Sequence, residues 1–455
     1  MINFEQFSKY SKPGPRYTSY PTAPEFNSTF TEETYRTILA SQDKNRKLSL
    51  YFHLPFCRSA CYFCGCNVVF TSKEDKKERY IDYLEREMEI LAKYLDTDRE
   101  VLQMHFGGGT PTFFSADQLA RVIALIKKHF KNFSPDAEIS CEIDPRFLTK
   151  EQLDVLVSNG FNRISYGVQD FDEKVQQEIH RIQPYEVTKN AVDMARAAGI
   201  ESINMDLIYG LPYQTQETFK ETLKLALTLS PDRFAVFNYA HVPWMKKTMR
   251  KFDETTLPHP SDKLAIMRYT IDYLEANGYK MIGMDHFAKP EDELFKAIEK
   301  GELHRNFQGY TTKGGADLVG IGLTSIGEGV HHYVQNFKEM KDYEAAIDAG
   351  KLPVHRGLVL NDDDVLRKAV IMEMMSNFKL NITKVEEEFG IDFFAYFDDA
   401  INALQEFVDE GLVNIDEKSI QVNTTGTLLI RNICMPFDAY LQNIPEDKRR
   451  FSKTV

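Results

Sequence analysis

Between residues 48 and 243, short apolar segments alternate with longer amphipathic ones. The short segments are rich in β-branched and aromatic residues and end in Gly, Pro or a polar residue, a pattern typical of strands. Because strands that alternate with helices form parallel sheets, six such units in succession predict an α/β fold with a partial (β/α)6 TIM-like barrel. The six predicted strands lie at residues 48–55, 101–109, 137–145, 163–169, 202–212 and 233–243.

The segments between the predicted strands have helical periodicity. Residues 76–96 place Tyr80, Leu84 and Leu91 largely on one stripe, with charged residues opposite. Thr215 is a predicted N-cap for the helical segment that follows it. In barrels the loops that follow the strands carry the chemistry, so we expect the functional residues at those strand ends.

Both ends of the chain depart from this alternation. The stretch KPGPRYTSYPT near the start is too rich in proline for a helix. Near the other end, three helical segments precede a predicted hairpin at 412–426 and a last helix at 427–443, which suggests a winged-helix-like module. We therefore predict an N-terminal arm (1–45), a catalytic domain (46–355) and a mainly helical C-terminal domain (356–455).

Composition and charge exclude several classes of protein. The 455 residues are 43% hydrophobic and 27% charged, as in globular proteins. A net charge of −13 argues against a nucleic-acid binder. The C-terminal module is itself rich in Asp and Glu, which favours a lid or packing role over DNA binding. The first thirty residues hold no apolar run and no stretch of eighteen apolar residues occurs, so we expect no export signal and no membrane span. We expect a cytoplasmic monomer.

Four of the six cysteines lie within ten residues, directly after the first predicted strand. Cys57, Cys61 and Cys64 have the spacing C-x3-C-x2-C, and Cys66 follows one glycine later. Structural disulfides are disfavoured without an export signal, and zinc usually takes four ligands from two separated knuckles. The spacing favours an iron–sulfur cluster, and three thiolates on a four-iron cluster leave one iron open. Incidental buried thiols are the alternative.

This motif, in the loop after a first barrel strand, resembles that of the radical S-adenosylmethionine (SAM) enzymes. In that family the open iron chelates SAM, and an electron from the cluster splits SAM to give a 5′-deoxyadenosyl radical. Within that superfamily the chain resembles the oxygen-independent coproporphyrinogen III oxidases over nearly its whole length, without a departure in the matching segments. Those segments are residues 13–26, 51–67, 107–112, 142–146, 166–171, 206–212, 237–243, 283–288, 304–312 and 428–435.

The resemblance implies a defined reaction in haem biosynthesis. Two propionate groups of coproporphyrinogen III would be oxidatively decarboxylated to vinyl groups, giving protoporphyrinogen IX. Each turnover would consume two SAM molecules, which the family is reported to hold together beside one 4Fe–4S cluster. The electrons for SAM cleavage would come from a low-potential donor such as a flavodoxin or ferredoxin.

The resemblance also assigns residues. Cys57, Cys61 and Cys64 would bind the cluster, and Tyr51 and Cys66 would act close to the reacting cofactors. The residues implied to bind SAM are Tyr51, Phe63, Cys66, Gly108, Gly109, Thr110, Glu142, Gln169, Arg181, Asp206, Ala240 and Ile326.

The residues alone leave alternatives open at several of these positions. Tyr51 also fits a barrel-core aromatic residue, Phe63 loop packing, and Arg181 a surface arginine at a helix end. Glycines allow a close approach of the backbone to a ligand, but they also form plain turns. The carboxylates of Glu142 and Asp206 need partners in an apolar barrel, and a cofactor offers some.

The implied substrate carries four carboxylates, although the protein itself is acidic. Local cations must therefore bind it, and Arg16, Arg305 and Arg431 are candidates because arginine suits carboxylate recognition. Ordinary salt bridges are the alternative for all three. Two rival functions also remain: a related haem-binding carrier, against which Cys66 and the RYTSYPT stretch argue, and a related radical enzyme that opens haem.

Overall fold

The computed structural model describes residues 9–445, 449, 451, 452 and 454. The chain divides into two compact units. The barrel unit comprises residues 26–272 and 315–359. The terminal unit comprises the residues up to Glu25, residues 273–314 and the residues from Leu360 onward. The division into three domains at residues 45 and 355 remains a prediction from the sequence, separate from these two units.

Ten strands of the barrel unit lie side by side in the order β10-β9-β8-β7-β1-β2-β3-β4-β5-β6. Strands β1 to β7 run parallel to one another, and β8, β9 and β10 extend the sheet beyond β7 in antiparallel pairs. The predicted α/β class and the six parallel strands are confirmed, whereas β7 to β10 were not predicted. Their bounds are β1 Leu48–Leu54, β2 Val101–Gly108, β3 Phe133–Ile143, β4 Arg163–Gln169, β5 Ser202–Tyr209, β6 Arg233–Asn238, β7 Asp317–Ile321, β8 Ile326–Glu328, β9 His332–Asn336 and β10 Val354–Val359.

Helices alternate with these strands, as the periodicity predicts. The predicted N-cap is confirmed, because the Thr215 side chain accepts a hydrogen bond from the backbone N–H of Thr218. The helix expected over 76–96 runs from Glu74 to Leu91. The helices are Glu32–Ser41, Glu74–Leu91, Ala116–His129, Lys150–Ser158, Glu173–Glu178, Tyr185–Ala197, Gln216–Thr228, Pro260–Ala276 and Met340–Asp348.

The sheet has one fully buried face and one polar face. Along β5, Ile203, Met205 and Leu207 are buried, while the alternating Asn204 and Asp206 are partly exposed. Since side chains alternate across a strand, the polar residues of all the parallel strands share one face. That face carries the candidate residues.

The helix Glu74–Leu91 fixes two strand ends that lead into the site. The buried Tyr80 hydroxyl donates to the carbonyl of His53 at 2.8 Å and accepts from the N–H of Leu323 at 2.8 Å. The buried Glu87 carboxylate accepts from the N–H of Gly322 at 2.8 Å and from the Tyr343 hydroxyl at 2.6 Å. These contacts hold the end of β1 and the loop after β7 to one rigid element.

The terminal unit contains a winged-helix-like module, in agreement with the sequence. Its helix-strand-helix pattern ends in two strands that form a three-stranded antiparallel sheet with Lys379–Asn381. Two further antiparallel pairs are Lys280–Met281 with His286–Ala288, and His304–Asn306 with Gly309–Thr311. The remaining elements are the strands Val413–Ile415 and Ser419–Val422 and the helices Glu293–Lys300, Asp362–Asn377, Ile382–Phe389, Phe393–Tyr396, Asp398–Asp409, Ile430–Cys434 and Ala439–Gln442.

The single helix expected over residues 427–443 is wrong. The segment breaks into two short helices, each preceded by a 3-10 turn. Pro436 has no N–H to donate within a continuing helix, and the Asp438 side chain instead caps a new one by accepting from the N–H of Leu441.

Residues 9–25 of the predicted N-terminal arm pack on C-terminal residues within the terminal unit. The Tyr17 hydroxyl donates to Asp438 at 3.0 Å, and the buried Arg431 guanidinium donates to the carbonyls of Gly14 and Pro15. Residues 9–25 are therefore packed as part of that unit, whereas residues 26–45 belong to the barrel unit. Across the part of the chain that the structure describes, the helices lack the length and apolar character needed to cross a membrane.

Candidate functional site

The cysteine-rich loop begins where β1 ends. Residues Phe56–Cys57 form a short parallel pair with Val69–Phe70, which closes the loop on itself. The Cys57 sulfur lies 3.4 Å from the Thr110 hydroxyl, and all three motif cysteines are free and partly exposed. The loop therefore presents its thiols on a backbone whose two ends are paired with each other.

Two arginines flank the Cys61 sulfur. The Arg181 guanidinium lies 3.6 Å from it and that of Arg146 lies 3.9 Å away. Both arginines also pair with the buried Asp144, at 3.0 and 2.7 Å. Burial raises the pKa of Asp144, but Arg181 and Arg146 outweigh burial and hold it below its usual value. The sulfur thus lies beside two fixed N–H donors.

Cys64 and Cys66 form a close pair. The Cys66 backbone N–H donates to the Cys64 sulfur at 3.4 Å. Hydrogen bonding from Cys66 lowers the pKa of Cys64 to about 6. The same contact, with burial, raises the pKa of Cys66 well above its usual value. Lys246 donates to the Cys66 carbonyl at 2.9 Å, so this end of the loop is held by the loop after β6.

Tyr51 lies on the polar face of β1 beside two histidines. Its hydroxyl lies 3.0 Å from Nδ1 of His53, whose Nε2 lies 3.0 Å from the carbonyl of Asn67. Burial lowers the pKa of His53 to about 4, so the ring is neutral at pH 7. Because a carbonyl only accepts, Nε2 carries the proton and Nδ1 accepts from the phenol. The Tyr51 ring also stacks on His105, and its hydroxyl is thereby fixed.

Glu142 lies on the same face, near the end of β3. Its carboxylate accepts from the N–H of Gly108 at 3.2 Å and lies 3.4 Å from Nε2 of His105. Desolvation by the surrounding strands raises the pKa of Glu142, but His105 and the N–H of Gly108 outweigh it and hold the pKa below its usual value. Although its side chain is 47% exposed, the carboxylate is therefore a fixed anion that can accept further hydrogen bonds.

The glycine run after β2 packs directly under the cysteine loop. The Gly109 N–H donates to the carbonyl of Leu54 at 2.9 Å, and the Thr110 N–H donates to that of Phe56 at 3.0 Å. A side-chain carbon at Gly109 would lie 2.6 Å from the carbonyl of Pro55. The residue at this position must be glycine for the two backbones to approach so closely.

Three other predicted residues lie on β4, on β5 and in the connection between these two strands. Asp206 accepts from Ser165 at 3.0 Å and from Asn204 at 2.7 Å, which supplies the partners that a carboxylate needs there. Gln169 ends β4 with a left-handed backbone, φ 71°. Arg181 is buried rather than on the surface, with a second bond to the carbonyl of Gly167.

The last three predicted residues are apolar. Phe63 packs against a buried cluster that includes Ile179 and Phe252. Ala240 follows β6 and Ile326 begins β8, and both are partly exposed. The described elements thus place the predicted set on the polar face or on loops adjoining it, within the barrel unit.

Comparison with known proteins shows which family has this arrangement. Residues 51–226 match the Radical SAM superfamily, and residues 360–429 match the HemN C-terminal domain. The chain is 56% identical, over 100% of its length and 99% of the relative, to an oxygen-independent coproporphyrinogen III oxidase of Helicobacter pylori, and 46% identical over 98% and 97% to that of Escherichia coli. The chain belongs to the oxygen-independent coproporphyrinogen III oxidase family. The solved E. coli structure, described as that of a radical SAM enzyme, superposes with a TM-score of 0.91 at 43% identity, covering 97% of this chain and 99% of that one.

Membership in this radical SAM family implies a 4Fe–4S cluster and SAM, and the donor set fits both. Among residues 9–445 and the few described beyond them, no three His, Cys, Asp or Glu side chains converge as a site for a single metal ion. A four-iron cluster takes one thiolate per iron and therefore suits three spaced thiols on one loop. The fixed carboxylate of Glu142 offers an acceptor for the amino group of SAM.

Some residues of the site were not predicted from the sequence. Asp144, Arg146 and the contacts of His53 with Tyr51 and of His105 with Glu142 were not predicted. Asp144 and Arg146 belong to the matching segment 142–146, and both follow directly after the end of β3. Their position at a strand end was the available signal, but only the fold shows that Arg146 reaches Cys61.

Proposed function

We propose that this chain converts coproporphyrinogen III into protoporphyrinogen IX without oxygen. Each of two propionates loses a hydrogen atom, CO2 and one electron, which passes to an acceptor, and a vinyl group remains. The observation that carries this proposal is the match to enzymes of that name over the whole chain rather than over the superfamily motif alone. The reaction places the chain in haem biosynthesis.

The chain's own residues are proposed to hold the cofactors. When bound, the cluster and SAM supply a 5′-deoxyadenosyl radical that removes the hydrogen atom from the propionate β-carbon. We assign Cys57, Cys61 and Cys64 to the cluster, and Tyr51 and Glu142 to the first SAM. Tyr51 is suited to this role because its proton is committed to His53, which leaves the phenol oxygen as a directed acceptor.

A second SAM molecule is part of the proposal. We assign to it Cys66, Phe63, Gln169, Arg181, Asp206 and Ala240, and to the two molecules together Gly108, Gly109, Thr110 and Ile326. Two propionates must be oxidised, and each oxidation consumes one SAM molecule. A second SAM molecule already bound would be available for the oxidation of the second propionate. The support is that Arg181 and Asp206 are oriented by neighbouring groups on the polar face and its loops. Equilibrium dialysis with SAM should give two molecules per cluster.

The substrate carboxylates are proposed to bind at the hairpin His304–Asn306 and Gly309–Thr311. Nε and Nη1 of Arg305 are buried there without a hydrogen-bond partner among the described residues, as are both polar side-chain atoms of Gln308. The guanidinium lies 5.1 Å from the centre of the Tyr310 ring. Buried N–H donors without an acceptor are costly, so a substrate carboxylate that accepted from these two nitrogens would be stabilised here.

The other two arginine candidates differ from Arg305. Arg431 donates to backbone carbonyls of the arm, and we assign it a structural role. Burial, with the charges of Arg16 and Arg305, lowers the pKa of Arg431 to about 9. Arg16 lies 3.7 Å from Asp285 and is about one third exposed, so it can assist Arg305 at the edge of the site.

Replacing Arg305 by alanine should raise the KM for coproporphyrinogen roughly 10- to 30-fold. The lost interaction is a charge-assisted hydrogen bond of ~1.5–2 kcal/mol, and Arg305 does not belong to the unit that carries the cysteine loop. Arg305→Lys should recover part of the affinity, because it keeps the charge without the forked geometry. Steady-state kinetics, with iron content and SAM binding as checks, measure this. An unchanged KM would remove Arg305 from the substrate site.

Anaerobic incubation of the reconstituted protein with coproporphyrinogen, SAM and dithionite tests the function. Protoporphyrinogen, CO2 and 5′-deoxyadenosine are the expected products, in the ratio of one to two to two. Haem loss without vinyl formation would instead establish the haem-opening reaction. Tight haem binding without turnover would establish a carrier, and either result would overturn the proposal.

The partners and location of the chain belong to the same proposal. A flavodoxin or ferredoxin is proposed to supply the electrons, because SAM cleavage requires a strong one-electron reductant. We propose that the chain acts as a monomer in the cytoplasm, where such carriers are reduced.

A further inference from the structure

The loop after β6 carries the two most exposed large apolar side chains among the described residues. Trp244 is 69% exposed and Met245 is 70% exposed, and they are adjacent. Trp244 is also the only tryptophan of the chain. A large aromatic residue is expensive to leave in water, and an exposed aromatic with a basic surround is typical of a protein–protein contact.

A basic segment follows this apolar pair. Residues 244–251 read WMKKTMRK, with four basic residues and no acidic one, in a chain whose net charge is −13. Lys247, Arg250 and Lys251 are exposed at the 3-10 turn Lys247–Lys251. Two acidic residues follow this segment. The Asp253 carboxylate accepts from the N–H of Thr255, and the Glu254 carboxylate lies 3.1 Å from Nε2 of His241.

This segment contacts the cysteine loop directly. Lys246 donates to the carbonyl of Cys66 at 2.9 Å, and Lys251 donates to the hydroxyl of Tyr62 at 3.1 Å. Tyr62 lies between Cys61 and Cys64 in the sequence. The segment that carries the exposed apolar and basic residues therefore contacts the loop whose thiols are proposed to hold the cluster.

We propose that Trp244, Met245 and Lys247 form the docking surface for the electron donor, an acidic carrier protein of the flavodoxin type. This inference rests on the proposed function. The carrier is oxidised by one electron and the cluster is reduced by one, and no bond is made or broken. An acidic carrier is repelled by most of this protein, so a local basic surface next to the cluster loop selects where it binds.

The test compares Trp244→Ala and Lys247→Glu with the parent protein. Both side chains are exposed and neither has a place in the cofactor site, so folding and iron content should be unchanged. Each substitution should slow reduction of the cluster by reduced flavodoxin about 10-fold, while reduction by dithionite stays the same. Lys44→Glu is the matched control, because Lys44 is exposed and precedes β1, at the opposite strand end from the cysteine loop.

Two further readouts do not depend on turnover. Carbodiimide should cross-link Lys247 of the parent protein to carboxylates of flavodoxin, and Lys247→Arg should keep fast reduction. High salt should slow reduction of the parent protein toward the rate of Lys247→Glu, because the screening length of exposed charges falls from about 8 Å at 0.15 M salt to about 3 Å at 1 M. Unchanged reduction by flavodoxin in both variants would overturn the proposal. So would a raised KM for coproporphyrinogen at an unchanged reduction rate, which would assign the surface to the substrate.

A failure of the proposed function would be distinguishable from a failure of this surface. If the dithionite assay gave no protoporphyrinogen, the reaction assignment would fail, yet the reduction and cross-linking measurements could still be made. If that assay succeeded and the variants matched the parent protein, the surface alone would be wrong.

Discussion

Replacing Cys57 with serine will give a folded protein without the cluster and with activity below about 0.1% of the parent, a loss of at least ~4 kcal/mol in barrier terms. Cys57 leads the loop, and its backbone is held by the Phe56–Cys57 and Val69–Phe70 pair and by the N–H of Thr71, which donates to the Cys57 carbonyl at 3.3 Å. These contacts do not involve sulfur. The fold should therefore survive while one of three thiolate ligands is lost. Iron content, the visible spectrum and turnover measure the result.

Two other cysteines provide the controls for this result. Cys66→Ser should keep the iron, since three thiolates remain, while turnover falls about 10-fold if Cys66 acts beside the second SAM. Cys434→Ala removes a buried thiol of the terminal unit and should keep both iron and turnover. A Cys57→Ser protein with full iron would contradict the ligand assignment, and loss of iron in Cys66→Ser would mean four protein ligands and no open iron.

The proposed cluster ligands could be predicted because they lie close together in the sequence. The spacing of Cys57, Cys61 and Cys64 constrains one short loop, whatever the rest of the chain does. The six parallel strands were equally accessible, since each alternates with a helix of clear periodicity. Glu142 could be expected at the end of the third strand and Asp206 within the fifth for the same reason, although the sequence gives no sign of the groups they contact.

The side chains that contact these site residues are brought to them by tertiary structure, so they could not be predicted from the sequence. The sulfur of Cys61 meets Arg146 and Arg181, which lie 85 and 120 residues away in sequence. Arg181 looked like a surface arginine until the fold buried it against Asp144. Strand β8 is only three residues long and lies in a glycine-rich stretch, so its pattern is too short to distinguish from a loop. Tertiary packing also broke the last predicted helix at Pro436.

The positions of these partners show how the site is built. Neutral His53 orients the phenol of Tyr51, and His105 and the N–H of Gly108 fix the carboxylate of Glu142. These groups lie on three adjacent strands, so the distances between them are set by the sheet rather than by loops. The cysteine loop lies outside this sheet, and the glycine run packed under it determines where its thiols lie relative to that face.

Replacing Gly109 with alanine should therefore lower kcat/KM at least about 100-fold, because a misplacement of about 1 Å in a reactive site has that effect. The new side-chain carbon would lie 2.6 Å from the carbonyl carbon and oxygen of Pro55 and 2.8 Å from the carbonyl oxygen of Phe56. These are backbone atoms, which cannot rotate away as a side chain can. The loop must move, and with it Cys57. Turnover, iron content and SAM binding would all report the displacement.

Gly65 offers a matched control within the same loop. It lies between Cys64 and Cys66, but a side-chain carbon there would meet no atom within 4 Å. Gly65→Ala should thus keep turnover within about threefold, although it is nearer in sequence to two of the thiols. If both variants were impaired equally, the loop would be intolerant of any change and the packing under Gly109 would not be the cause. If Gly109→Ala alone kept full activity, the close approach of the glycine run to Pro55 would have no role in positioning the cluster.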